Sequence, residues 1–259
     1  MKIKNDYFQI GNEKIAIKLF NHSKNIKAEN TLVLLHEGLG SVALWKNFPE
    51  VLSKFLQRDI LVYSRIGMGN SAPIEGKREI NFMHDEALIY LKNIIENYCD
   101  KEPVLFGHSD GASISIIYAG SNLPLQSLIL EAPHVMVEKI TTKEIKKLFE
   151  SWSSTNLKSK LEKYHKDVDS SFNEWCAIWL SNNFKEWNIE KYIQNIKVPV
   201  LAIQGLNDQY GSLYHIEALE KNVQNIFEKV LIDNCKHSPH LEFESLVLKK
   251  VKNFLTKIN

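Results

Sequence analysis

The sequence predicts an α/β protein in which helices cover both faces of a mostly parallel β-sheet. Short apolar runs of strand length alternate with longer segments whose apolar residues recur at helical spacing, which favours parallel strands joined by helices. The 259 residues, of which 44% are hydrophobic, suffice for one large domain or for a core with an insertion.

The individual elements follow from these patterns. Residues 7–20 alternate polar and apolar side chains around Gly11-Asn12, which predicts a β-hairpin. Apolar runs predict further strands at 31–35, 59–63, 104–106, 125–130, 199–203 and 227–232, and helical spacing predicts helices at 43–56, 82–98 and 241–255.

A stretch without any convincing strand pattern interrupts this alternation. It contains charged segments of helix length and four tryptophans, Trp152, Trp175, Trp179 and Trp187. We therefore predict a core made of residues 1–133 and 197–259, and a helical insertion over residues 134–196, called the cap below.

Residues 104–119 contain the pattern G-x-S-x-G between a strand and a helix. The strand leads into Gly107-His108-Ser109-Asp110-Gly111, and an apolar helical run follows. Such a turn lifts a serine hydroxyl clear of the sheet edge, and its glycines avoid a clash with the neighbouring strand or helix. Ser109 is the candidate nucleophile; an ordinary helix N-cap is the alternative role for this residue.

A serine hydroxyl needs a base to take its proton, and the base needs an acid that orients it. With a G-x-S-x-G turn of this kind, the chain order is serine, acid, histidine, and each partner follows a strand end. Asp208 follows the strand at 199–203, and His237 follows the strand at 227–232. We predict that Asp208 is the acid and His237 the base.

Three residues are alternatives for these two roles. His240 lies three residues after His237, at the expected start of the last helix rather than in the loop. Glu131 ends the strand after the candidate nucleophile and is an alternative acid. Asp233 is another, but it shares a strand with the base and would have to fold back.

The negative charge that develops on a substrate carbonyl oxygen needs two hydrogen-bond donors. One expected donor is the backbone N–H of Asp110, at the start of a helix whose dipole favours negative charge. The other is the N–H of Gly38, in the loop His36-Glu37-Gly38-Leu39-Gly40-Ser41. Glu37 occupies a position that is usually glycine in such loops.

Five segments in this order resemble the α/β-hydrolase superfamily, and within it the small, capped enzymes that cleave ester and carbon–carbon bonds. They are His36-Glu37-Gly38-Leu39-Gly40, Ser64-Arg65-Ile66-Gly67-Met68-Gly69-Asn70-Ser71, Gly107-His108-Ser109-Asp110-Gly111, Gly205-Leu206-Asn207-Asp208 and His237-Ser238-Pro239-His240. The Ser-Asp pair after His108 also resembles the valacyclovirase-like branch. The resemblance implies an α/β-hydrolase fold: a mostly parallel eight-stranded sheet, flanking helices and a helical cap over the pocket.

Several residues are candidates for contact with substrate. Carboxylates at Asp110 and Glu37 would repel an anion and attract a cation, which favours a substrate that is neutral or carries an amine. The alternative for Asp110 is that it caps its own helix. His134, at the junction of core and cap, and Trp179 in the cap are further possible contacts, whereas Arg65 is expected to hold its loop by ion pairing.

Composition excludes several classes of function. The net charge is +1 and no basic tract occurs, so we expect no binding to nucleic acid. No apolar run is long enough to span a bilayer, no signal-peptide core is present, and the three cysteines lack metal spacing. We therefore expect a soluble, cytoplasmic protein without metal or cofactor, either a monomer or a homodimer, whose partner is a small acyl substrate.

The sequence thus predicts a serine hydrolase that cleaves a small carboxylic ester, thioester or related acyl compound through an acyl-enzyme. Two alternatives stay open. One is a carbon–carbon bond hydrolase of the meta-cleavage type, or a cofactor-free peroxidase or oxygenase, on the same scaffold. The other is a ligand receptor that keeps the three residues but turns over slowly.

Overall fold

The computed structural model describes residues 1–21 and 31–258, and its central feature is an eight-stranded β-sheet. The strands are β1 (Lys2–Ile10), β2 (Glu13–Asn21), β3 (Leu32–Leu35), β4 (Ile60–Tyr63), β5 (Val104–His108), β6 (Ser127–Glu131), β7 (Val200–Gly205) and β8 (Phe227–Ile232). Their order across the sheet is β1-β2-β4-β3-β5-β6-β7-β8. β1 and β2 form the predicted hairpin, β2 pairs with β4 antiparallel, and all other pairs are parallel. The predicted α/β-hydrolase fold is confirmed.

Helices cover both faces of the sheet. In the core they are α1 (Phe48–Leu56), α2 (Phe82–Asp85), a π-helical turn (Glu86–Leu91), α3 (Lys92–Tyr98) and α4 (Asp110–Gly120). In the cap they are α5 (Lys139–Ser151), α6 (Leu157–Leu161), a 3₁₀ turn (Glu162–Tyr164), α7 (Val168–Trp179) and α8 (Glu190–Ile193). The chain ends with α9 (Tyr214–Asn222), α10 (Pro239–Glu242) and α11 (Glu244–Ile258).

The buried strands divide their side chains between two apolar cores. Leu32 and Leu34 of β3 pack with α1 and α11 on one face, whereas Val33 and Leu35 pack with α3 and α4 on the other. Successive residues of a strand point to opposite faces, so a strand buried on both faces is apolar throughout. This explains the continuous apolar runs in the sequence.

Several predicted helix boundaries differ from the structure. The helix expected from residue 43 begins at Phe48, because residues 42–47 form successive turns. The helix expected over 241–255 is broken at Phe243 into α10 and α11. α9 was not predicted, since its short segment follows a loop rich in polar residues.

The cap leaves and rejoins the core at adjacent points. The Ile189 N–H donates to the Val135 carbonyl at 2.8 Å, and the Val137 N–H donates to the Trp187 carbonyl at 3.2 Å. Between these points the described residues form helices and turns with one isolated β-bridge, Met136 to Asn188. The division into core and cap with boundaries at 133/134 and 196/197 stays a prediction.

No helix in residues 1–21 and 31–258 is both long enough and apolar enough to cross a membrane.

Candidate active site

Ser109 lies in the sharp turn between β5 and α4. Its backbone has φ 54° and ψ −117°, a conformation that non-glycine residues rarely adopt and that often marks functional sites. A Cβ at Gly107 would lie 2.3 Å from the Gly111 carbonyl oxygen, and one at Gly111 would lie 2.1 Å from the Leu35 carbonyl oxygen. The two glycines are therefore required for the close packing of β3, β5 and α4 around this turn.

The structure brings Ser109, His237 and Asp208 together at the carboxyl edge of the sheet. The distance from Ser109 Oγ to His237 Nε2 is 2.9 Å, and His237 Nδ1 lies 2.9 and 2.8 Å from the two Asp208 carboxylate oxygens. These distances are within hydrogen-bond range for all three groups. Because the carboxylate can only accept, His237 carries its proton on Nδ1, which leaves Nε2 free to accept from the serine hydroxyl.

The charges of this arrangement affect each other. Burial disfavours the imidazolium form of His237, but the Asp208 charge and its hydrogen bond outweigh burial, so the pKa of His237 lies above its ordinary value of 6.5. Burial also opposes the charged form of Asp208, yet His237 and the Tyr210 N–H lower the pKa of Asp208 to about 2. The carboxylate therefore stays ionised and holds the imidazole in one tautomer.

Two neighbours fix the orientation of Asp208. The Gln204 amide donates to Oδ2 at 2.8 Å, and the Tyr210 N–H donates to Oδ1 at 2.8 Å. The Tyr210 ring also lies against the His237 ring, with 4.8 Å between centroids. Gln204 follows the predicted strand at 199–203, so its position near Asp208 was readable from the sequence, but its hydrogen bond was not.

The alternative residues lie in other contacts. Glu131 Oε1 accepts from both the backbone N–H and the Nδ1–H of His240, at 2.9 and 2.7 Å, so these two form a separate buried pair. Asp233 is exposed at the end of β8. Within residues 1–21 and 31–258, none of the three side chains is hydrogen-bonded to the side chain of Ser109 or His237; Glu131 meets Ser109 only through its backbone carbonyl, which accepts from the Ser109 N–H at 2.9 Å.

The two predicted oxyanion donors belong to segments next to the Ser109 turn. The Asp110 N–H begins α4, and the Gly38 N–H lies in the loop after β3; within the described chain neither donates to another group. A Cβ at Gly38 would lie 2.2 Å from Trp175 Nε1, so only glycine fits beneath the cap at this point. Their role as oxyanion donors is part of the proposal below.

The side chain of Arg65 holds the loop after β3 in place. The sequence had suggested a loop-holding role for this side chain. Nη1 donates to the His36 carbonyl at 2.7 Å, and Nη2 donates to the carbonyls of Glu37 and Gly38 at 2.9 and 3.2 Å. The same guanidinium lies 3.6 Å from Asp110 Oδ2, and both side chains are buried. Its contacts with three carbonyl groups were not predictable from the sequence.

Asp110 is held by protein groups. Besides Arg65, the Trp175 Nε1–H donates to Oδ2 at 3.1 Å. Burial raises the pKa of this carboxyl, while Arg65 and Trp175 oppose the rise. Because the guanidinium already balances the charge of this carboxylate, the interpretation that the Asp110 charge selects substrates is weakened.

Glu37 differs from Asp110 in its surroundings. Its Oε2 accepts from the Leu39 N–H at 2.8 Å, and it has no ion-pair partner in the part of the chain that the structure describes. Burial raises the pKa of Glu37, opposed by that N–H and by His237. The side chain is half-buried and borders two cavities, whereas the buried Asp110 borders only the larger of the two.

The catalytic pocket has a volume of about 770 Å³ and lies between Ser109 and the cap. Apolar side chains of α5, α6 and α7 form its far wall: Ile145, Leu148, Leu157, Leu161, Trp175 and Trp179. His134 also lines it, and its Nδ1 has no partner among the described groups. The predicted contacts Glu37, His134 and Trp179 therefore all border the pocket.

The comparisons with known proteins agree with this geometry. A sequence profile described as serine aminopeptidase S33 (Hydrolase_4) matches residues 27–177. A proline iminopeptidase from Lactobacillus acidophilus is 32% identical over 106 residues, which are 40% of this chain and only 36% of that protein.

Among solved structures, a putative lipase from Acinetobacter baumannii AYE is similar with a TM-score of 0.78 and 18% identity, covering 99% of this chain and 92% of its own. An α/β-hydrolase, MGS-M2, from a Medee basin deep-sea metagenome library has a TM-score of 0.76 and 19% identity, covering 97% of both chains. At these identities the two structures support the fold alone. The profile match covers more than half of the chain, and the chain is therefore a hydrolase that belongs to the serine aminopeptidase S33 family of the α/β-hydrolase superfamily.

Proposed function

We propose that this hydrolase cleaves a small carboxylic ester or thioester through an acyl-enzyme on Ser109. The observation that carries the proposal is the continuous hydrogen-bonded chain from Ser109 Oγ through His237 to Asp208. A serine becomes nucleophilic when a neutral imidazole accepts its proton, and an imidazole held by a carboxylate presents the correct nitrogen.

In acylation, Ser109 Oγ attacks the carbonyl carbon while His237 Nε2 takes the hydroxyl proton. The backbone N–H groups of Gly38 and Asp110 donate to the oxygen that becomes negative, supported by the N-terminus of α4. When the tetrahedral intermediate collapses, His237 Nε2 gives its proton to the leaving oxygen or sulfur. The acyl group stays on Ser109, and the alcohol or thiol departs.

In deacylation, the same imidazole takes a proton from water, whose oxygen attacks the acyl carbon. Collapse of this second intermediate returns the proton to Ser109 and releases the carboxylic acid. Asp208 keeps the Nδ1 proton throughout and stabilises the imidazolium that forms twice in each cycle. The apolar wall of the catalytic pocket supports an apolar acyl group of moderate size.

Labelling and turnover test this proposal directly. A fluorophosphonate probe should label the wild type on Ser109 and should not label Ser109→Ala. An ester library of increasing acyl length, assayed on both proteins, should give turnover with the wild type alone. If the probe labels Ser109 but no ester or thioester is turned over, turnover of vinylogous diketones would instead support carbon–carbon bond cleavage. Slow release of product would support a receptor.

A second candidate is hydrolysis of an amide bond next to an amino-terminal residue. The family description and the proline iminopeptidase similarity favour it. The same three residues can catalyse either reaction, since both proceed by acyl transfer. Amino-acid anilides compared with fatty-acyl esters of matched size distinguish the two candidates.

A further inference from the structure

A second, smaller cavity of about 280 Å³ adjoins the catalytic pocket and has no role in the steps above. It is called the side cavity here. Its walls are His36, Glu37, Gly40, Ser41, Leu44, Trp45, His108, Ser238, His240 and Leu241. Three of these residues, Glu37, His108 and Ser238, also line the catalytic pocket, so the two cavities share a boundary beside the base.

Two histidines of the side cavity, His108 and His240, each donate a ring N–H to another protein group. His108 Nε2 lies 2.7 Å from the His237 carbonyl oxygen, to which it can only donate. Burial lowers the pKa of His108 to about 3, so its ring is neutral and Nδ1 is an acceptor. His240, which also borders the cavity, donates its Nδ1–H to Glu131 at 2.7 Å.

Glu37 adds a negative charge to this set of acceptors. Its carboxylate keeps Oε1 free of any protein donor in the described residues, and no cation among them lies within ion-pair distance of it. Arg65, which follows β4 and whose guanidinium contacts the backbone of this loop, forms its ion pair with Asp110 Oδ2 at 3.6 Å instead. The side cavity therefore combines an ionisable carboxylate, that of Glu37, with one imidazole nitrogen that accepts hydrogen bonds, Nδ1 of His108.

The position of the side cavity relates it to the leaving group. His237 Nε2 delivers its proton to the leaving atom, and Ser238, the next residue, borders both cavities. The acyl group has its own apolar wall under the cap. A leaving group that departs past His237 would therefore lie close to Glu37 and His108, which border both cavities.

We propose that the side cavity binds an ammonium group carried by the leaving group, so that preferred substrates are carboxylic esters of small amino alcohols. An ammonium group offers only donors and a positive charge, which match the free carboxylate of Glu37 and the acceptor nitrogen of His108. This inference rests on the proposed ester hydrolysis, and it differs from recognition of an amine on the acyl side.

A pair of isosteric esters tests the inference. The 2-(dimethylamino)ethyl and 3-methylbutyl esters of butanoic acid have nearly the same shape, but only the first carries an ammonium group at pH 7. We expect the wild type to show a kcat/KM at least about tenfold higher for the amino ester, because a charge-assisted hydrogen bond supplies that much. Added salt should reduce this ratio.

Variants assign the effect to its residue. Glu37→Gln keeps an oxygen that can accept from the Leu39 N–H but removes the charge, and it should bring the ratio close to one. Glu50→Gln is the control, because that carboxylate pairs with Lys54 on α1 and lines neither cavity, and its ratio should stay at the wild-type value. Ratios are compared within each folded protein, so a general loss of activity does not affect them.

Three results would overturn the inference. They are a wild-type ratio near one, a ratio that Glu37→Gln does not change, and a larger Glu37 effect when the amine is moved to the acyl side, as in methyl 3-(dimethylamino)propanoate against methyl 4-methylpentanoate. Absence of turnover for both uncharged and amino esters would instead refute the proposed ester hydrolysis. The uncharged ester therefore separates failure of the function from failure of the inference.

Discussion

Replacing Asp208 by asparagine should reverse the tautomer of His237 while keeping the fold. The carboxylate accepts from Gln204 Nε2 on one oxygen and from the Tyr210 N–H on the other, and from His237 Nδ1 between them. An asparagine oxygen would keep the Tyr210 contact. Its amide group would face Gln204, whose buried Oε1 has no partner among the described groups and can accept after a side-chain flip.

In that arrangement the introduced amide donates to His237 Nδ1, so the imidazole proton moves to Nε2 and points at Ser109. The ring can then no longer accept the serine proton. We expect a loss in kcat on the order of 10⁴-fold, the cost of the wrong tautomer in serine hydrolases, equivalent to about 5.5 kcal/mol of barrier. The free energy of unfolding should change much less, because the asparagine keeps hydrogen bonds to the Tyr210 N–H, Gln204 and His237.

Steady-state kinetics with a p-nitrophenyl ester, together with urea unfolding of each protein, measure both quantities. Glu131→Gln is the matched control, since it removes a second buried carboxylate that pairs with His240 and not with the base. The control should keep kcat within about tenfold of wild type while losing stability. If Asp208→Asn retained activity and Glu131→Gln lost it, Glu131 would be the acid and the assignment of roles would be wrong.

Three further outcomes are expected. Ser109→Ala should lose about 10⁴-fold or more in kcat and all fluorophosphonate labelling, measured by mass spectrometry of the labelled peptide; residual labelling would identify another nucleophile. Arg65→Met should lower the free energy of unfolding by about 3 kcal/mol or more, because it leaves Asp110 charged and buried without its partner; urea titration checks this, and a change below about 1 kcal/mol would contradict it. The kcat/KM should fall in acid with a midpoint above 6.5, because the raised pKa of His237 keeps the base protonated to higher pH; a midpoint below 6.5 would contradict this.

The sequence predicted the parts of this molecule that depend on short-range pattern. Each buried strand was visible because both faces of the sheet are covered, as in β3, where Leu34 and Leu35 enter different cores. The Ser109 turn was visible because two glycines at fixed spacing are a steric requirement. The positions of Asp208 and His237 followed from their places after consecutive strands, since parallel strands end at one edge.

The partners of the charged groups were not predictable. Whether Asp110 faces substrate or protein depends on Arg65 and Trp175, which lie far from it along the chain, one before it and one after it. Their contact distances arise from packing of the cap against the loop after β3. Sequence alone left open whether Asp110 selects a substrate charge or caps its helix, and its side-chain contacts support neither role.

The charge of Glu37 links the charge of the substrate to the pH at which kcat falls in acid. Burial lowers the pKa of His237, Asp208 raises it, and the Glu37 charge raises it further. An ammonium group bound beside Glu37 would cancel that last contribution, so the pKa of His237 in the complex should be lower with an amino ester than with its uncharged isostere. The midpoint of the kcat profile should therefore lie at lower pH for the 2-(dimethylamino)ethyl ester, and the two midpoints should coincide in Glu37→Gln. Identical midpoints in the wild type would mean that the bound cation does not approach Glu37, and the leaving group would then lie outside the side cavity.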